Sequence, residues 1–126
     1  VSIEVAKTIQ YQIKVLDKLA LISWGAKDFL GFPETEKELG ALQFSVRNVP
    51  AFKGIGYVKI SLNGNDLYDI EVYKKRNITK KVKDKLLNGD DVELKKTISS
   101  KNDVYVEDLV NTIDNLLGIV KENNEN

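Results

Sequence analysis

Apolar residues recur at steps of three and four through the first part of the chain. Ala6, Ile9, Ile13, Leu16 and Ala20 share one face, while Lys7, Gln10, Lys14 and Asp17 point away. That spacing predicts an amphipathic helix over residues 2–18, with Ser2 as its N-cap. The apolar run 19–24 follows, ended by Gly25. Its length suits a buried strand, although so short a run has no periodicity that separates strand from helix. Residues 25–40 are irregular, with a short helical turn expected over 33–39, opened by Pro33 and closed by Gly40.

Alternation by two takes over from there. Leu42, Phe44 and Val46 alternate with Gln43, Ser45 and Arg47, the pattern of a half-buried strand, and residues 48–54 form a loop around Pro50. The clearest element is a hairpin over 55–73. Val58, Ile60 and Leu62 face inward with Tyr68, Ile70 and Val72; Tyr57, Lys59 and Ser61 face outward with Asp69, Glu71 and Tyr73. A two-residue turn at Asn63-Gly64 would pair inward with outward positions and bury a charge. A three- or five-residue loop, with Gly64 or Asn65 at positive φ, keeps the apolar faces together and sets Lys59 opposite Asp69 or Glu71.

A third helix is expected over 77–88 from Ile78, Val82 and Leu86, capped by Asn77 and ended by Gly89. Val92, Leu94 and Ile98 then suggest an edge strand that Lys95 and Lys96 protect from association. Asn102 or Asp103 can cap a last helix carrying Val106, Leu109, Val110, Ile113, Leu117 and Val120. Burying every stripe requires an α+β fold: a small antiparallel β-sheet with the N- and C-terminal helices packed on one face. The chain of 126 residues suits one domain over 1–120, with 121–126 a frayed polar tail.

Composition narrows the chemistry. With no cysteine, there is no disulfide, thiolate nucleophile or zinc ribbon; with no histidine, the usual general base and the commonest transition-metal ligand are missing. Catalysis would have to rest on carboxylates, lysine, tyrosine or a hard metal such as magnesium. No cofactor is expected. Nineteen basic and nineteen acidic residues cancel, unlike the basic excess usual in a nucleic-acid coat. No apolar run approaches the roughly 18 residues of a membrane span, and no apolar h-region marks a signal peptide, so no membrane partner is expected.

Three stretches resemble a family of short, functionally uncharacterised proteins of bacteriophages and other bacterial mobile elements. They are Thr8-Ile9 followed by Trp24-Gly25-Ala26-Lys27-Asp28-Phe29, then 55–71 (IGYVKISLNGNDLYDIE), then 104–118 (VYVEDLVNTIDNLLG). Trp24 stands where the family carries a small polar residue. Residues 77–100 exceed the family's short, strand-like link, so the third helix is read from this sequence alone. The resemblance implies a mobile-element origin and a cytoplasmic setting, and it implies no reaction.

Four candidate surfaces follow from the residues. Lys74, Lys75, Arg76, Lys80, Lys81, Lys83 and Lys85 place seven positive charges within twelve residues, opposed by Asp84. Such a cluster suits phosphates, with Tyr57 and Tyr73 as stacking platforms, or it is simply a solvated helix face. The outward sheet face, with Gln43, Ser45, Arg47, Tyr57, Lys59, Ser61, Asp69, Glu71 and Tyr73, suits a protein partner, since tyrosine and arginine are favoured at interfaces. A magnesium nuclease would draw on Asp66 or Asp69 with Glu93-Leu94-Lys95. Lys53-Gly54-Ile55-Gly56 and Gly25-Ala26-Lys27 have the look of phosphate loops, but neither completes a fingerprint, and tight turns explain the glycines.

The leading expectation is a non-enzymatic accessory protein of a phage or mobile element that binds a host or phage protein, for example as an inhibitor. A nucleic-acid-binding module is the alternative and the nuclease a third, while self-association through the sheet remains open.

Overall fold

The computed structural model describes residues 3–120. The elements run α1 (Glu4–Leu16), α2 (Ala20–Ser23), β1 (Lys27–Phe32), β2 (Ala41–Arg47), β3 (Ile55–Leu62), β4 (Tyr68–Lys75), α3 (Lys80–Leu87), β5 (Lys95–Val104), a 3₁₀ turn (Val106–Asp108) and α4 (Leu109–Leu116). The strands form one antiparallel sheet in the order β1-β2-β3-β4-β5. Each strand lies beside the next in sequence, and the connection from β4 to β5, residues 76–94, is long enough to hold α3. The expected α+β fold, with terminal helices on one face, is the one observed. Ser2 and the tail 121–126 lie outside the described residues.

Ala6, Ile9 and Ile13 are the buried stripe of α1. They meet Leu42, Phe44 and Val46 of β2, Val58 and Ile60 of β3, Ile70 and Val72 of β4, and Leu109, Val110, Ile113 and Leu117 from the C-terminal region in one core. α1 covers β1 and β2, α4 covers β4 and β5, and the two helices touch between them. Of the last helix's expected stripe, Val106 and Val120 are exposed instead.

Several expectations fail locally, each for a physical reason. The run 19–24 is the short helix α2 rather than a strand. Asp17 leaves α1 in an extended conformation and its carboxylate accepts the Leu19 N–H, after which Ser23 and Trp24 donate to the carbonyls of Leu19 and Ala20. The buried residues are Ala20 and Trp24, four apart, which is helical spacing. Residues 33–39 form no helix. Instead Thr35 accepts from the N–H groups of Lys37 and Glu38 and donates its own to the Glu38 carbonyl, a local turn that returns the chain from β1 to β2. β1 itself went unpredicted because it is an edge strand with no regular burial alternation.

The hairpin register is the expected one, with Val58 opposite Val72, Lys59 opposite Glu71 and Ile60 opposite Ile70. Its loop, 63–67, is the longer of the two expected. The left-handed residue is Asp66 (φ 61°), not Gly64 or Asn65, because Asn63 Oδ1 accepts the N–H groups of Asn65 and Leu67 and winds the loop around itself. α3 begins later than expected: Thr79, not Asn77, caps it by accepting the Val82 N–H. Val92 and Leu94 precede β5, which starts at Lys95. Asn102 and Asp103 lie inside β5 and do not cap the last helix, whose N-cap position is Asp108.

Candidate functional site

The face of the sheet turned away from the helices carries a block of interlocked side chains. Register sets Tyr57 opposite Tyr73, and Tyr73 opposite Thr97; the adjacent row sets Lys59 opposite Glu71, and Glu71 opposite Ser100. The Tyr57 and Tyr73 rings stack at 5.4 Å between centroids. Lys75 Nζ lies over Tyr57 at 4.6 Å and Lys95 Nζ over Tyr73 at 5.4 Å, so a cation closes each end of the pair. The Tyr73 hydroxyl donates to Gln43 Oε1.

Glu71 joins the rows. Its carboxylate takes a salt bridge from Lys95 at 2.9 Å and a hydrogen bond from the Thr97 hydroxyl. Burial opposes its ionisation, but Thr97, Lys95 and Lys59 outweigh burial and hold its pKa below the ordinary 4.5. Burial pushes the Tyr73 phenol above its ordinary 10.0, with Glu71 and Tyr57 adding to the effect. Lys59 turns to Glu38 at 3.2 Å and lies over the Phe32 ring at 4.8 Å.

Of the nine residues assigned to the outward face, Tyr57, Lys59, Glu71 and Tyr73 are therefore adjacent. Arg47 sits apart at the end of β2, opposite Ile55. Tyr73 is 7% exposed, which leaves Tyr57 as the accessible ring. Ser45 is also buried, donating to the Lys27 carbonyl and to Asp28.

Beside this block opens a cleft of about 920 Å³, between the end of β4 and the segment leading into β5. Tyr73, Ile78 and Leu94 give it apolar surface, while Arg76, Asp91 and Glu93 bring charges of both signs. Two of its lining segments are tied together: Arg76 N–H donates to the Leu94 carbonyl, and the Arg76 guanidinium to that of Glu93. The sequence carries no signal for it, since it arises from a hairpin connection long enough to hold α3.

The lysine-rich segment is divided. Lys74 turns towards Phe52 and donates to the Lys53 carbonyl, while Lys75 is on the outward face over Tyr57. On α3, Lys81 and Lys85 fall on one side and Lys80 and Lys83 on another, around buried Val82. Those four form no ion pair among the described residues.

The fragments considered for a nuclease lie apart. Asp69 sits at the loop end of β4, with Asn63 Nδ2 and Asp103 N–H donating to its carboxylate, whereas Glu93 lies beside Arg76. Seven residues of strand at ~3.3 Å each separate those ends by roughly 23 Å. Among the described residues no group of three or more metal-ligating side chains is placed to hold an ion. Gly25 and Gly54 have positive φ (63° and 74°) and serve as turn residues. Trp24 is wholly buried. Among the described residues no helix is long and apolar enough to cross a membrane.

No protein-family model matches the chain, and neither does any curated protein or solved structure. The resemblance to phage and mobile-element proteins rests on its three motif stretches alone.

Proposed function

We propose that this chain is a non-enzymatic binding protein that engages another protein across its outward sheet face and the adjoining cleft. The observation that carries the reading is the alternation of charge there: Lys75, Arg76 and Lys95 are interleaved with Glu71, Asp91 and Glu93 around Tyr57, Tyr73 and Leu94. A phosphate backbone favours uninterrupted positive charge, whereas a protein surface offers both signs and apolar anchors. The stacked and cation-capped tyrosines are ordered before any partner arrives, which lowers the entropy cost of binding. Together with the motif resemblance, this supports an accessory protein of a phage or mobile element, acting in the cytoplasm on a host or phage protein. Inhibition of that protein is the simplest consequence of binding without catalysis.

A second reading, nucleic-acid binding, is favoured by the exposed lysines of α3. Two experiments separate them. Bacterial lysate is passed over the immobilised chain and over a Tyr57→Ala, Lys75→Glu variant; a protein retained by the first and lost from the second is the expected result. Fluorescence anisotropy with labelled DNA and RNA across a salt series is expected to stay flat. Salt-sensitive binding removed by reversing Lys80, Lys81 and Lys83 would replace this reading with the second, and magnesium-dependent cleavage would overturn both. Sedimentation decides whether the retained partner is another copy of this chain.

A further inference from the structure

A second groove, of about 550 Å³, lies where α1, α2 and β1 meet. Leu21, Ile22 and Phe29 line it together with Lys14, Lys18 and Lys27, and among the described residues no carboxylate lines it. The three lysines are exposed and make no ion pair among the described residues. The acids nearest in sequence are engaged elsewhere, Asp17 on the Leu19 N–H and Asp28 on the Ser45 hydroxyl. The apolar lining is anchored: Phe29, 41% exposed, rests on Phe44 at 5.6 Å, and Phe44 stacks on buried Trp24.

The groove adjoins an open sheet edge. Among the described residues β1 pairs only with β2, so backbone groups along its other side have no strand to bond. The two edges of the sheet differ. β5 carries Lys95, Lys96 and Lys101 and two breaks in register, the features that discourage pairing. In β1 the break in register lies between Lys27 and Leu30, with Asp28 at positive φ (54°), while Leu30 to Phe32 keep regular register and Phe29 and Leu30 are exposed.

We propose that this edge and groove dock an extended acidic–apolar segment of a protein partner, added as a strand beside β1. Backbone bonding to the edge provides affinity and alternate side chains provide specificity. One side of the incoming strand places apolar residues against Leu21, Ile22 and Phe29, and its carboxylates meet Lys14, Lys18 and Lys27. The three lining lysines select acidic segments and speed their encounter. An anionic lipid surface would use the same lysines but has no backbone groups to pair with β1. The surface shares no residue with the outward-face block, so the two readings stand or fall separately.

The test is a displayed random peptide library panned against the whole chain, followed by anisotropy with the selected peptides. The selected peptides are expected to be rich both in apolar residues and in Asp or Glu. Their affinity should fall about tenfold or more in a Lys14→Glu, Lys18→Glu, Lys27→Glu variant. N-methylation of alternate peptide amides, which removes strand donors and leaves charge and protein untouched, should abolish binding. Tyr57→Ala should leave it unchanged. The proposal is overturned if no peptide is enriched, if enriched peptides lack an acidic excess, or if binding survives lysine reversal or N-methylation. It also fails if phosphatidylglycerol vesicles bind the chain while the peptides do not.

Discussion

Trp24 Nε1 donates to Asp114 Oδ1 at 2.7 Å, with both side chains buried, and so ties the end of α2 to α4 across ninety positions of sequence. The same indole lies parallel to the Phe44 ring, at 5.9 Å between centroids. One side chain thus joins the two terminal helical regions to the sheet, and it requires both a ring and a donor.

Trp24→Phe keeps a ring but removes the donor from a buried carboxylate. The expected destabilisation is about 2 kcal/mol or more, from lost volume and from the broken hydrogen bond. Urea unfolding followed by circular dichroism measures it, since the substitution removes the only tryptophan. A loss below about 0.5 kcal/mol would mean that the link adds nothing to the packing.

Glu71 gives the sheet face a defined acid response. Its folded-state pKa is depressed, so its contribution to stability is present above pH 4.5 and is lost as pH falls through the folded value. The stability difference between the wild type and Glu71→Gln should be constant above about pH 6 and shrink as pH falls below 4.5. A difference independent of pH down to acid unfolding would show that the Lys95 and Thr97 contacts do not bias ionisation.

The alkaline side is set by phenols. Burial raises Tyr68, against the hydrogen bond it makes to Gln12, and burial also raises Tyr73. A raised folded pKa means the unfolded chain releases these protons first, so stability declines as pH rises above 10.0. Tyr73→Phe should flatten that decline, read as the slope of unfolding free energy between about pH 9.5 and 11. An unchanged slope would remove Tyr73 from the account.

Thr79→Ala should act locally. The hydroxyl caps α3 through the Val82 N–H, and caps of this kind contribute ~1 kcal/mol to their helix. α3 packs little on the rest of the fold, so amide exchange over residues 82–87 should accelerate while the global urea midpoint stays put. A matching fall in global stability would show that α3 unfolds with the core.

What could be read from the sequence follows from where burial is one-sided. Ile9, Ile13, Phe44, Val58, Ile60, Ile70, Val72 and Ile113 repeat with the period of their element and all lie in the core, so α1, β2, the β3–β4 hairpin, its register and α4 were legible. Where burial is weak, the periodic signal vanishes. β1, exposed along most of its length, read as irregular, and Ala20 to Trp24 were too few residues for a period to show. Tyr57, Lys59, Glu71 and Tyr73 share a face because alternation assigns one, whereas Arg47 lies apart at the end of β2.

Sequence alone, then, determined the α+β class, the hairpin register, the missing thiol and imidazole chemistry, and the side of the sheet on which Tyr57, Lys59, Glu71 and Tyr73 would sit. Tertiary structure decided that Tyr73 is buried beneath its neighbours and that Asp114 meets Trp24. It also decided that Lys14, Lys18 and Lys27 gather around one groove. The division has one cause: a repeat encodes which way a side chain points from its own backbone, while contacts between elements depend on how separate backbones pack against one another.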